Sequence, residues 1–306
     1  MGHDSKKIKR TTDEKKQAIA RFFKRVFFGF VSVIALTLTL YLFVLPSILV
    51  GELEPKNILI VSSKLDVASK NIYFAHISDN ETKHTVVTIP AEQTVTVPGG
   101  YGEYPLQSVY QLLLIDKKDS QFTTSIFSEL LGTTVDEVMA IDEPLGDITE
   151  SQLSGLFFRH ATKNAKNFNL GSLKSSLKLH YLSKDISLID LEKLEDFQQT
   201  VQEFVTISGD LYQYCSVAIV NATGENGVAR QTGKIIERGG ALVVRYDDST
   251  NQQEKTQIYF GSDPIDCSQL ARSISGIFRQ KPEILPLEEL ENAQQYRAKV
   301  IVVIGK

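Results

Sequence analysis

Residues 217–229 read VAIVNATGENGVA. An unbroken apolar run ends at Asn221, a turn of small residues follows, and a helix opens after Gly227. A short apolar run bounded by turn residues predicts a buried strand. Gly224 and Gly227 fit a tight turn and a close helix-strand approach, because glycine accepts left-handed backbone without a steric penalty. The same residues allow a second role, an anion site built from the amides ahead of Ala229, with Asn221, Thr223, Gly224 and Gly227 around it. The spacing is not that of a nucleotide-binding loop and no lysine follows it, which favours the turn.

Elements on either side of this stretch complete a domain. Ser216 to Val220 is a predicted strand, Gly227 to Arg238 a helix stopped by Gly239 and Gly240, and Ala241 to Tyr246 a strand. After a polar loop come a strand at Thr256 to Phe260, a helix at Ile265 to Phe278 and a last strand at Ala298 to Ile304. The order β-α-β-β-α-β predicts a two-layer sandwich with both helices on one face of a four-stranded sheet. In the split form of that topology the first and third strands are parallel neighbours. Cys215 and Cys267, the two cysteines of the chain, then sit at opposite ends of the sheet, too far apart for a bridge. They lack C-x-x-C spacing and histidine neighbours, so zinc is not expected.

The text before this domain is also α/β, of the α+β kind. Asn57 to Val61, Asn71 to Ile77, Thr85 to Ile89, Thr94 to Val97 and Val135 to Ile141 are predicted strands, and Gln107 to Ile115 and Phe122 to Leu131 helices. Gly132 stands where a left-handed helix cap is expected. Leu191, Leu194, Phe197, Val201, Phe204 and Val205 recur at helical spacing and predict an amphipathic helix capped by Asp190. His76, His84, His160 and His180 lack acidic or cysteine companions and are expected to be half-exposed bystanders.

Val26 to Val50, VFFGFVSVIALTLTLYLFVLPSILV, has no charged residue, and nine Lys or Arg against three acids precede it. A helix of this length reaches about 37 Å, enough to cross a hydrocarbon core of about 30 Å. It lacks a small-x-small cleavage pattern and is expected to remain as a membrane anchor. The positive-inside rule keeps residues 1–25 cytoplasmic and puts the rest outside. The residues after the tail carry 24 basic and 34 acidic side chains, that is 33 minus 9 and 37 minus 3. Such a balance opposes nucleic acid as a partner. The expected organisation is a basic tail at 1–25, the anchor at 26–50, a stalk at 51–56, a domain at 57–206, a hinge at 207–214 and the last domain at 215–306.

The strand ending in Asn221, the Thr223-Gly224 turn, the Gly227-Val228-Ala229 helix opening, Gly239-Gly240 before the second strand and the closing Val300 to Gly305 resemble the LytR C-terminal domain. Lys306 stands where that family often has an acid. The resemblance extends, more thinly, to a LytR-CpsA-Psr catalytic domain over residues 57–142: Val86 to Pro90 matches its central strand, Pro98 to Gly102 its glycine turn, and Leu130 to Val138 its Leu-Leu-Gly stretch. That family moves an anionic glycopolymer from a polyprenyl pyrophosphate carrier to peptidoglycan, with arginines on the pyrophosphate and aspartates that help hold magnesium.

The chemistry departs from the family. Ile89-Pro90-Ala91-Glu92 replaces Ile-Pro-Arg-Asp, Ala68-Ser69-Lys70 replaces Arg-Ser-Asp, and only Lys64 and Asp66 stand near the Asp and Arg after the first strand. Alanine cannot make the bidentate contacts of a guanidinium. Losing one transition-state donor slows such a reaction about a hundredfold or more. The resemblance therefore implies a degenerate domain with no catalytic residue, no resident metal or other cofactor, and a vestigial site at Lys64, Lys70 and Glu92. If the domain is a degenerate transferase, Ala91→Arg with Glu92→Asp is expected to recover pyrophosphate affinity without turnover; in the alternative reading Ala91 is a small residue at a strand end, where an arginine is a solvated surface change with no effect on binding.

Two functions follow. One is a non-catalytic envelope scaffold or regulator that binds peptidoglycan or envelope proteins. The alternative is a divergent glycopolymer transferase that uses Lys64, Lys70 and Glu92 with magnesium. A sensor acting through the basic tail is a third class without a motif of its own.

Overall fold

The computed structural model describes residues 29–34, 36–37, 56–64, 69–77, 84–147, 149, 152–153, 155–157, 159, 186–208, 214–262 and 267–306. The chain divides into two compact units, Met1–Gly51 and Glu52–Lys306. In the first, residues 29–34 and 36–37 are helical, and Phe30, Val33 and Leu36 are exposed. Among the described residues no helix is long and apolar enough to cross a membrane. Most of the expected span Val26 to Val50 lies outside them, as do the basic tail, most of the stalk, His160, His180 and the core of the expected hinge.

The second unit holds two five-stranded sheets. The first is built from β1 (Lys56–Ser62), β2 (Asn71–Ile77), β3 (His84–Pro90), β6 (Glu137–Ile141) and β7 (Ile186–Asp190), in the order β6-β1-β2-β3-β7. β1 runs parallel to β6 and β3 to β7, while β2 is antiparallel to both of its neighbours. A hairpin of β4 (Thr94–Val97) and β5 (Gly102–Pro105) leads into α1 (Leu106–Ile115) and α2 (Ser120–Leu131). Leu59, Phe74, Val87, Ile89, Val109, Phe127 and Phe197 share one core, and Phe74 meets Phe197 edge to face at 5.1 Å. The carboxylate of Asp119 accepts the Phe122 amide at 2.8 Å and so caps α2. Gly132 closes the helix at φ 68°, the expected left-handed cap.

Two expectations fail in this sheet. Asp190 does not cap a helix: it ends β7, the ladder to β3 continues through Leu191 N to Thr88 O at 3.1 Å, and α3 (Phe197–Ser208) starts only after a 3-10 turn at Leu194–Asp196. The ladder takes up the backbone groups that a helix start at 190 would have needed. His76 and His84 are buried, not half-exposed. Every residue of β2 is covered, so alternation along it marks no solvent face. His76 Nδ1 lies 2.7 Å from Asn57 Oδ1. Burial, with His84 adding to it, pushes the imidazole down to about 4 and keeps it neutral.

The second sheet contains β8 (Val217–Asn221), β9 (Val243–Asp248), β10 (Gln257–Phe260), β11 (Glu283–Pro286) and β12 (Val300–Ile304), in the order β11-β10-β12-β8-β9. It has five strands where four were expected. The added β11 is an edge strand, which is where its Pro286 is tolerated. Helices α4 (Val228–Arg238) and α5 (Ser268–Ser275) do share one face, with Ile236, Leu270 and Ile274 against Val217, Ile219 and Val302. The other face is covered by Leu287, Leu290, Ala293 and Tyr296, which pack on Val220, Tyr259 and Ile301 and make a third layer.

Cys215 and Cys267 form a disulfide with Cα atoms 5.8 Å apart, contrary to expectation. The error lay in strand order and direction: β12 stands between β8 and β10, so the first and third strands are not neighbours. β8 pairs parallel with β9 and β12, whereas β10 is antiparallel to β12. Phe260, at the end of β10, is thus level with Val300 and with Val217 at the start of β8. Both cysteines fall at the same end of the sheet, within reach of a bridge.

The two sheets are joined through α2 and the segment after it. Gln121 Nε2 donates to the carbonyls of Ser275 and Phe278, each at 2.7 Å, and Arg279 pairs with Glu129 at 3.1 Å. A Cβ at Gly276 would lie 2.9 Å from the Val135 carbonyl, so that close backbone approach needs glycine. Asp136 is half-buried in the same joint and accepts the Asn57 amide at 2.6 Å. Burial raises its pKa, against the opposing pull of that amide and of the Ser273 hydroxyl.

Candidate functional site

The registers of the first sheet gather the residues of the expected vestigial site at one end. Ile60 pairs with Tyr73, Asn71 with Pro90, and Ser62 with Ile141. Lys64, Lys70 and Glu92 therefore all follow or precede strands at the edge formed by the carboxyl ends of β1, β3, β6 and β7. Ligands commonly bind at that edge in open α/β sheets. All three side chains are exposed, and Asp66 lies outside the described residues.

A cover that the sequence reading missed closes this edge. The segment 142–147 crosses the ends of β1 and β2: Ser63 Oγ donates to Asp142, Tyr73 to the Gly146 carbonyl, and Asn71 Nδ2 to Asp147 Oδ1 at 3.0 Å. Leu145 is fully buried beneath it, its amide held by Ser69 Oγ at 3.1 Å. Burial, the largest cause, pushes the Tyr73 phenol up to about 12, so it acts as a hydrogen-bond donor and not as an acid. Pro144-Leu145-Gly146 was the available turn signal for this segment.

Among the described residues, the cations at this end are accompanied by acids. Lys70 reaches Asp147 at 3.9 Å with both side chains in solvent, where such a pair contributes little. Arg159 is held through two nitrogens by Glu143, at 3.0 and 2.8 Å. Lys64 and Lys70 share the edge with Glu92, Asp142, Asp147 and Asp190. Among the described residues no three His, Cys, Asp or Glu side chains converge as a metal site.

Ala91 corrects the expectation of a surface position. It is fully buried in the main core. Its amide donates to Lys70 O at 2.8 Å and its carbonyl accepts the Gln107 amide at 2.9 Å. Both hydrogen bonds fix the side chain inward.

The Asn221 turn is internally satisfied. Asn221 Nδ2 donates to Glu225 O at 2.7 Å and to Asp248 Oδ1 at 2.9 Å, and its Oδ1 accepts from Thr223 N at 3.2 Å and Thr223 Oγ1 at 2.7 Å. Thr223 Oγ1 in turn accepts the Glu225 amide at 3.0 Å. Gly224 and Gly227 both have positive φ. A Cβ at Gly224 would strike Gln252 Nε2 at 2.3 Å. The four residues lie in one turn, into which Asn221 and Thr223 direct these polar atoms.

Beside this turn a cavity of about 670 Å³ opens between α4 and the end of α2, with Ile235, Phe278, Arg238 and Gln198 among its lining residues. A second hollow of about 580 Å³ lies at the start of β1, lined by Lys56, Tyr110, Leu114, Lys118 and Arg272 among others.

Residues 215–306 match the family model described as LytR cell envelope-related transcriptional attenuator. The chain carries a LytR C-terminal domain there, and the family description ties that domain to the cell envelope. No curated protein and no solved structure matches the chain.

Proposed function

We propose that this chain is a membrane-anchored, extracytoplasmic cell-envelope protein that binds wall material or envelope proteins as a scaffold or regulator and does no chemistry of its own. The observation that carries this function is the LytR C-terminal domain at residues 215–306. The uncharged run Val26 to Val50 behind a basic tail supports the anchor and its orientation. The Cys215–Cys267 bridge supports an outside location, because disulfides persist in oxidising compartments. Ala91 packed into the core, and the acids around Lys64 and Lys70, support the absence of pyrophosphate chemistry.

Topology is tested on intact cells. After mild denaturation and reduction, a membrane-impermeant thiol reagent is expected to label Cys215 and Cys267. Labelling only after lysis would reverse the orientation.

Catalysis is tested by ligation of a polyprenyl-pyrophosphate-linked polymer to peptidoglycan with magnesium present, where no turnover is expected. Turnover that disappears in Lys70→Ala or Glu92→Ala would establish the alternative, a divergent glycopolymer phosphotransferase.

A further inference from the structure

The second sheet has two edge strands, β11 and β9. β11 is blunted by its length of four residues and by Pro286 at its end, both common protections against a foreign strand. β9 is more open. Among the described residues no strand lies beyond it, and Leu242, Val244 and Tyr246 are exposed at 54%, 46% and 40%. Its bulge lies at the start, where the register passes from Val243 to Arg245 and leaves Val244 without a partner in β8. From there the strand is regular. Ser249 N donates to Asn221 O at 2.8 Å, and successive residues of a strand turn their backbone groups to opposite sides. The N–H and C=O groups of Asp248, Tyr246 and Val244 therefore face the open edge. The Asp248 amide takes the carboxylate of its neighbour Asp247, at 3.1 Å, in place of a ladder partner.

Opposite charges are spaced evenly about one point of this edge. In the strand, Arg245 precedes Tyr246 and Asp247 follows it, and the two side chains pair on one face at 2.7 Å, both exposed. In α4, Gly233 packs on Tyr246 so closely that a Cβ there would lie 2.3 Å from its ring. Arg230 stands before Gly233 and Glu237 after it, about one helical turn away on either side. Both are exposed, and Glu237 accepts the Tyr246 hydroxyl at 3.2 Å. The other cations of α4, Lys234 and Arg238, line the cavity at the end of α2.

A two-fold axis at Tyr246 makes this arrangement complementary to itself. A second β9 then runs antiparallel to the first, Tyr246 exchanges backbone hydrogen bonds with Tyr246 of the second copy, and Val244 does so with Asp248 of the second copy. Arg245 and Asp247 fall in the closer, non-hydrogen-bonded pairs between these, each opposite its counterpart of the other sign, so two ion pairs cross the axis. The carboxylate of Asp248 is held in its own turn by Asn221 Nδ2 at 2.9 Å. Because α4 packs over β8 and β9, it meets its copy about two strand spacings away, roughly 10 Å, an ordinary distance between packed helices. There Arg230 of one copy faces Glu237 of the other. We propose that the β9 edge is the contact between two copies of this chain, an antiparallel β9–β9 pair about Tyr246. The assignment needs neither the anchor nor a wall ligand. What selects a second copy as the partner is that the same two pairs of opposite charges, in strand and in helix, match themselves about one axis, as a closed isologous contact requires.

The full chain is sedimented in detergent solution, where a dimer is expected. Asp247→Arg or Glu237→Arg sets like charges face to face across the axis, and each is expected to weaken the dimer about tenfold or more. Restoring opposite signs, by Arg245→Asp with Asp247→Arg or by Arg230→Glu with Glu237→Arg, is expected to bring the dimer back. The first swap also removes the stacking of Arg245 on Tyr296; the second, at exposed helix positions, keeps the test open if the first variant does not fold. Tyr246→Cys supplies a free thiol to a chain whose own cysteines are bridged. Opposed residues of a hydrogen-bonded antiparallel pair have Cα atoms about 5.5 Å apart, within reach of a disulfide. Under mild oxidant Tyr246→Cys is therefore expected to cross-link copy to copy, and Ile115→Cys, exposed on α1, is not. A native chain that sediments as a monomer overturns the contact. A dimer that survives both single reversals is held together elsewhere and overturns the β9 edge. A dimer lost in the single variants and regained in neither swap overturns the antiparallel register about Tyr246.

Discussion

Replacing Cys215 and Cys267 by alanine is expected to destabilise the second unit by about 4 kcal/mol, the chain-entropy value for a bridge that closes a loop of 52 residues. The bridge joins the approach to β8 to the start of α5 within one core, where both cysteines are buried. In a unit of this size that loss corresponds to a melting temperature lower by roughly 10 °C. The comparison is thermal melting of the native chain with and without reductant, beside the double alanine variant. Reduced native protein and the variant are expected to melt together, below the oxidised protein. Identical melting of the native chain in both conditions would mean that the bridge does not form, and would remove one support for an outside location.

The bridge marks the limit of what could be read in the sequence. Apolar runs and turn residues located β8, α4, β10 and β12 closely, because local periodicity is a local property. Gly132 and Gly227 were legible for the same reason: a left-handed residue next to an apolar run has few alternatives to glycine. Strand direction within a sheet is set by which long-range pairs form, and residues 256–260 carry no mark of whether they run with or against β8. The antiparallel pairing of β10 with β12 therefore went unseen, and the cysteine geometry with it. β11 was hidden by Pro286, which reads as a strand breaker and is compatible with a strand only at a sheet edge.

The candidate site was legible in outline only. The spacing of Lys64, Lys70 and Glu92 along three successive strands does bring them to one end of the sheet, since alternate antiparallel strands return the chain there. Exposure was not legible. Burial on both faces of β1, β2 and β3 removes the alternation that separates inside from outside, so His76 and His84 looked half-exposed and Ala91 like an open strand-end position. The segment 142–147, which covers that end, is tied down by side chains 73 to 79 residues away in sequence, and no local pattern reports such contacts.

Ala91→Arg is the substitution on which the degenerate-site idea turns, and it is expected to be severely destabilising. The methyl group of Ala91 faces the core with no accessible surface. A guanidinium in its place either overpacks the core or is buried without a carboxylate partner. Together these penalties amount to about 3–5 kcal/mol. Glu92→Asp, at an exposed position, is expected to change stability by less than about 0.5 kcal/mol. Denaturant midpoints of the two single variants separate these effects, and titration of a short prenyl pyrophosphate with magnesium tests the chemistry. The expected result for Ala91→Arg is a large fall in midpoint with no gain in binding, because the backbone hydrogen bonds of residue 91 to Lys70 and Gln107 aim its side chain into the protein and away from the strand-end surface. An Ala91→Arg protein that keeps its midpoint and acquires magnesium-dependent pyrophosphate binding would show that the core opens beside residue 91. It would also show that the transferase pocket needs only its arginine to be recovered.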